Sequence, residues 1–346
     1  MIGEIVGEYR IAALLGYGGT GEQFLAEHVQ TGAKARVEIV DAQIMASRVE
    51  VERYLSDVRT VAGIKHGGVR KVLDAGIDPG GRGYVVTEHL DGADTLAQRI
   101  ESSGRLSSTQ IAEIGRQLAN VLAVAHDENL VHGDLRPSVI WLMKQGGLAR
   151  GEPVKLDELG VAALKRSLGI VIGPVYAAPE LLGSGASVDW RVDAYGLGCV
   201  AFEMATGRPP FLGASAEEVR AKHLEQLPPA PRSLMPDVSP ALDVLIGRLL
   251  SKRPEDRFSS MREVGRVFES LGTKARPLAP TENNPIVVLG EVQASPAPAR
   301  GESRVEDVRP EATAVVGPAR GSRWPLAIVL GLLVAGAAVA AVVLAR

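Results

Sequence analysis

The chain has 346 residues, 46% hydrophobic and 23% charged, with a formal net charge of −3. That is enough length for one two-lobed domain or two ordinary ones, and the interspersed charges with no basic stripe exclude a nucleic-acid partner. Cys199 is the single cysteine, so no intrachain disulfide can form, and none of the six histidines stands at metal-ligand spacing with it.

In chain order, the opening MIGEIVGEYR carries Glu4 and Glu8 and no apolar core, so it does not read as a signal peptide. Strand-like runs follow: RIAALLGYGG, EQFLAEHV, AKARVEIV, RKVLDAGID and GYVVTEHL. Among them, residues 49–64 place Val51, Leu55, Val58 and Val61 at helical spacing. Beyond Asp91 the pattern turns helical, over 107–126, 189–206, 215–226 and 239–250. The expected fold class is α+β: a small β-rich lobe over about 1–91, a larger helical lobe over 92–272, and a cleft between them. Residues 273–323 are Pro/Ala-rich and aperiodic, which predicts a disordered linker; the apolar PIVVLG at 285–290 reads as a local extended stretch or, alternatively, a docking segment.

From Pro325 to Leu344 runs PLAIVLGLLVAGAAVAAVVL, twenty residues without a charge. At about 1.5 Å per residue it matches the hydrocarbon thickness of a bilayer, so 324–346 is expected to be a single transmembrane helix. Arg309, Arg320 and Arg323 precede it, which places the bulk of the chain on the cytoplasmic side of the cell (inner) membrane. With two residues after the span, no external sensor domain is expected. Gly331/Ala335 and Gly336/Ala340 would allow close helix pairing and hence a homodimer.

The turn in LLGYGGTGEQFLAEHVQTG carries Gly16, Gly18, Gly19 and Gly21 between two strands. Glycines let backbone N–H groups approach a phosphate closely. The strand-turn-strand setting argues against a dinucleotide fold, whose glycines open a helix. Together with HGDLRPSVI (132–140), AAPE (177–180), VDAYGLGCVAFEMATGRPPF (192–211) and RPEDRF (253–258), this turn resembles the protein kinase signature set. More closely, it is similar to the bacterial (Hanks-type) serine/threonine kinases, in order and spacing over about residues 7–271. The resemblance implies a bilobal kinase fold in which the 49–64 helix bridges the lobes.

The resemblance also assigns site residues, and many of them depart from the family. The phosphate-pairing lysine falls on Glu38, whose carboxylate would repel a triphosphate, and the helix glutamate that pairs with it falls on Asp57. Lys34 and Arg36 share a strand face with Glu38 and are the candidate substitutes. Asp134 matches the base that accepts the substrate proton, Gly133 replaces the preceding arginine, and Arg136 replaces the lysine after it. The metal-ligating asparagine falls on Val139, which has no lone pair to offer. Glu158, with Asp157 beside it, stands where the metal-binding aspartate belongs. Gly16, Gly18, Gly21, Thr87, Glu88 and Leu90 fall at the nucleotide pocket. Gln23, Arg36 and Trp141 replace its apolar walls, so a guanidinium and an indole are expected to occlude the adenine slot, Arg36 stacking on Trp141.

The scaffold positions are kept. Glu180 and Arg257 match a buried ion pair, and Asp193 matches the aspartate that braces the catalytic loop. The segment between Gly160 and Pro174 offers one hydroxyl, Ser167, and with Gly133 in the loop a phosphorylation switch is not expected there. The leading expectation is a membrane-tethered pseudokinase that binds or scaffolds cytoplasmic or membrane signalling proteins, with no cofactor. The alternative is an active kinase using ATP and Mg²⁺, with Asp134 as base, Glu158 or Asp157 on metal, and Lys34 or Arg36 on phosphate.

Overall fold

In the computed structural model, which describes residues 1–143, 153–170, 172–183 and 188–273, the N-terminal runs form a six-stranded antiparallel sheet. Its strands are β1 (Ile5–Val6), β2 (Tyr9–Tyr17), β3 (Gly21–His28), β4 (Lys34–Val40), β5 (Val72–Ile77) and β6 (Gly83–Glu88), in the order β1-β2-β3-β4-β6-β5. Alternation along the strands puts Val6, Ile11, Phe24, Ala26, Val37 and Val86 in one apolar cluster. After β4 come a single turn, α1 (Ala42–Met45), and α2 (Arg48–Gly63). The predicted stripe of Val51, Leu55, Val58 and Val61 is buried, joined by Tyr54. Val51, Tyr54, Leu55 and Val58 pack with Val40 and Val85 of the sheet.

The second lobe opens with β7 (Asp94–Thr95), α3 (Leu96–Ser103) and α4 (Ser108–Asp127). Both helices start in capping boxes, Thr95 with Gln98 and Ser107 with Gln110, which satisfy backbone N–H groups that lack helical partners. β8 (Ile140–Leu142) and β9 (Val154–Leu156) complete a three-stranded sheet with β7, followed by α5 (Val161–Ser167) and α6 (Pro179–Leu182). Then come α7 (Arg191–Thr206), α8 (Ala216–Glu225), α9 (Pro231–Leu234), α10 (Pro240–Leu249) and α11 (Met261–Thr273). α7 is apolar nearly all round and runs through the core. α11 packs on α4 through Phe268, whose ring fills the space beside Gly115; a Cβ there would lie 2.5 Å from it.

The four predicted C-terminal helices appear as α4, α7, α8 and α10. Among the described residues no helix is long and apolar enough to cross a membrane. The linker beyond Thr273, its 285–290 patch and the 324–346 anchor lie outside the described residues.

Candidate functional site

The cleft is built on a charged hub. Asp157 follows β9 directly and is almost fully buried. Its carboxylate accepts from Arg36 Nη2 at 2.9 Å, stands 2.7 Å from Arg36 Nη1, and accepts from Arg70 Nη1 at 2.8 Å. Burial alone would raise the Asp157 pKa; the two guanidinium groups overcome it and hold the carboxyl far below its usual range. Burial alone would also lower the Arg36 pKa, and Asp157, Glu38 and Glu158 together turn that into a rise. Arg70 keeps a lowered pKa because burial outweighs its pairing with Asp157.

Each arginine is also tied to the strand that leads into the cleft. Arg36 lies opposite Thr87 in the β4–β6 register and donates from Nε to its hydroxyl at 3.2 Å. Arg70, just before β5, donates from Nε and Nη2 to the Glu88 carbonyl at 3.1 and 2.8 Å. Its guanidinium sits 5.2 Å from the Trp141 ring centroid. The stacking expected between Arg36 and Trp141 is therefore made by Arg70 instead. Arg36 turns its guanidinium to Asp157 and Thr87. The indole Nε1 of Trp141 is buried without a hydrogen-bond partner among the described residues.

Glu38 turns toward the glycine-rich turn. Thr20 donates to its carboxylate from both N–H and hydroxyl, each at 2.6 Å, and Gln23, its cross-strand neighbour, donates from Nε2 at 2.7 Å. The turn is thereby drawn down into the cleft. A Cβ at Gly18 would lie 2.6 Å from Glu38 Oε2, and one at Gly19 would lie 2.8 Å from Glu158 Oε2. Gly21 closes the turn by accepting from Gly18 N–H, while Gly16 stands clear of any neighbour.

In the catalytic loop, Arg136 joins the two remaining acids. Its Nη1 donates to Asp134 at 2.5 Å and its Nη2 to Glu158 at 2.8 Å. Burial would lower its pKa, and Glu158 and Asp134 reverse that. Glu158 adopts φ +60°, and Val139 is buried with its carbonyl accepting from Asp157 N–H. Among the described residues no three His, Cys, Asp or Glu side chains are grouped to hold a metal. Below the loop, Asp193 accepts from His132 N–H at 2.9 Å and Gly133 N–H at 2.7 Å, and Arg257 donates to both oxygens of Glu180 at 2.6 and 2.9 Å.

These side chains leave a cavity of about 40 Å³, lined by Arg36, Glu38, Arg70, Asp157, Glu158 and Val161 among others. Ligand sites commonly run to about 300–1,000 Å³. That space holds a few waters, and Gln23, Leu90 and Trp141 of the expected nucleotide pocket do not line it. Arg36, Glu38, Thr87 and Glu158 of the expected set converge here. Lys34 does not: it is exposed, 3.9 Å from Asp91, so it is no substitute cation for the cleft. Asp57 sits against Gly160 rather than lining the cavity, and Leu90 is buried elsewhere. Two functional residues were missed in the sequence, Arg70 and Thr20. The signal for Arg70 was a charge inside VRKVL facing an acid, Asp157, that had no assigned partner.

A family model described as the protein kinase domain matches residues 9–268. This chain belongs to the protein kinase family. Its homologues are bacterial serine/threonine kinases. It is 32% identical over 314 residues to Serine/threonine-protein kinase Pkn1 of Myxococcus xanthus, covering 88% of this chain and 44% of that protein. It is 30% identical to Serine/threonine-protein kinase PknA of Mycobacterium tuberculosis, covering 81% of this chain and 64% of that one. The chain thus spans under half the length of Pkn1. The crystal structure of the Mycobacterium tuberculosis PknI kinase domain superposes with a TM-score of 0.63 at 24% identity, covering 78% of this chain and 99% of that one. The kinase fold is thereby shown, and kinase homologues imply ATP and Mg²⁺. Two features of this kinase cleft do not fit them: Glu38 puts a carboxylate where the family has its phosphate-pairing lysine, and the acids at 134 and 158 are bridged by an arginine.

Proposed function

We propose that this kinase-family chain is a membrane-tethered pseudokinase that binds or scaffolds signalling proteins, with weak or no phosphoryl transfer. The Arg36–Asp157–Arg70 triad carries the reading, because it places two guanidinium groups in the slot and ties one of them to the Glu88 carbonyl. Phosphoryl transfer rests on positioning and charge neutralisation by cations around the phosphates. Here a carboxylate, Glu38, takes the lysine's place and holds the glycine-rich turn through Thr20 and Gln23. The apolar 325–344 stretch supports a membrane anchor, and its small-residue pairs support a dimer. The partners are cytoplasmic or membrane signalling proteins.

Thermal unfolding with and without Mg-ATP tests this. A ligand at 100 times its Kd adds about 2.7 kcal/mol of stability; no shift is expected at millimolar nucleotide. A second reading, an active serine/threonine kinase, is favoured by the retained Asp134. It requires Arg36 and Arg70 to leave the slot and Glu158 to exchange Arg136 for metal. Substrate labelling that disappears in Asp134→Ala would establish it and overturn the first.

A further inference from the structure

A larger cavity, of about 450 Å³, opens to the surface of the second lobe between the residues after α5, the helix α6 and α8. Its walls are aliphatic: Ile170, Ile172, Leu181, Leu182 and Val188. Small-molecule sites commonly span about 300–1,000 Å³, with an apolar wall around a few polar groups that fix orientation. The volume falls in that range.

The polar groups on this wall are lopsided in charge. Arg166 and Arg220 line it as cations, and Glu180 is its one acid among the described residues. Both oxygens of Glu180 are already taken by Arg257, so neither cation is neutralised by it. Arg220 is held at the mouth, donating from Nε and Nη2 to the Leu182 carbonyl. Arg166 has less. Its Nη1 lies over Gly133, buried with no hydrogen-bond partner among the described residues. Burial lowers its pKa, and only the field of Asp193 opposes that. A half-buried guanidinium with no carboxylate beside it is costly unless an anion neutralises it.

We propose that this cavity binds an aliphatic monocarboxylate, its chain against the Ile170–Leu181–Val188 wall and its carboxylate on Arg166, with Arg220 at the mouth. Arginine suits a carboxylate because its planar fork can donate twice. Inorganic phosphate or a nucleotide would satisfy the cations and leave the aliphatic wall in water, so the apolar body is part of the ligand. A bound chain ties the residues after α5 to α6 and α8. The site stands apart from the cleft and does not depend on whether the chain binds nucleotide or transfers phosphate.

Hydrogen–deuterium exchange on the full chain, with octanoate, 1-octanol or inorganic phosphate at equal concentration, tests the site by a local readout. Octanoate is expected to slow exchange over 177–183 and α8 by about threefold or more, octanol much less, and phosphate not at all. Arg166→Met should remove the preference for octanoate over octanol, and Arg166→Lys should restore part of it. Val188→Trp, at a half-exposed position, fills the cavity and should remove protection by both. No protection by octanoate, equal protection by octanol, protection by phosphate, or an octanoate effect unchanged in Arg166→Met or Val188→Trp would each overturn the proposal. If Arg166→Met also loses protection in α7, the comparison of octanoate with octanol on the unaltered chain decides alone.

Discussion

At the scale of single residues, Asp157 has the most consequence. The sequence offered it as a second candidate metal ligand, and the fold spends it on two arginines. A buried ion pair gains little over an apolar core of the same volume, yet removing one partner strands a charge and costs about 3–5 kcal/mol. Here a single carboxylate serves two cations, so Asp157→Asn is expected to cost at least that much in urea denaturation. Replacing the three together, Arg36→Met, Arg70→Met and Asp157→Leu, is expected to cost far less, because no unpaired charge remains. Equal losses in both variants would mean that shape at the slot, not charge, sets its stability. That a cation would enter the cleft was legible from Arg36, since a long charged side chain stands where the family has a small apolar wall. Which cation meets the indole was not legible. It depends on Arg70 reaching across from the start of β5 to the Glu88 carbonyl, a contact between residues 18 apart in the chain.

At the scale of elements, one histidine ties α8 to α7. His223 is fully buried; its Nε2–H donates to the Val175 carbonyl at 3.0 Å, leaving Nδ1 to accept from the Tyr195 hydroxyl at 2.9 Å. Burial first, and then the Lys252 ammonium, push its pKa down from 6.5 to about 4. A neutral imidazole is thus required in the fold, while the unfolded chain takes up a proton as pH falls below 6.5. Stability is full above that pH and declines toward pH 4, by roughly 1 kcal/mol at pH 5.5 and on the order of 3 kcal/mol at the limit. His223→Gln is expected to lower stability at pH 7 and to flatten its slope between pH 6.5 and 4; an unchanged slope in urea titrations would show that other groups carry it. Long amphipathic elements such as α2, α4 and α10 were legible because period and length agree. α5 was not: its seven residues make about two turns, too short for a helical period to register. The three-residue β8 and β9 are likewise too short for alternation to register.

At the scale of the whole molecule, the cleft departs from the family's residue pattern in two separable ways: missing groups and added ones. Restoring the missing groups alone, Glu38→Lys with Val139→Asn, supplies a phosphate cation and a metal ligand and frees Thr20 and Gln23 from the carboxylate. It leaves Arg36, Arg70 and Asp157 in the slot, where about 40 Å³ remains. This pair is therefore expected to show no stabilisation by Mg-ATP. Adding Arg36→Ala and Arg70→Val empties the slot and the contact with the Glu88 carbonyl. The lysine introduced at 38 lines the same cavity as Asp157, and Asp157→Leu is added with it so that no carboxylate is left stranded. The fivefold variant is expected to gain on the order of 2–3 kcal/mol with saturating Mg-ATP in thermal unfolding, with nucleotide affinity preceding any recovery of transfer. Binding by the twofold variant would mean that the arginines yield to a ligand, and the groups missing at 38 and 139 would then be what silences the site. No binding by the fivefold variant, with its fold intact, would place the block outside the slot, in the glycine-rich turn that Thr20 and Gln23 tie to position 38.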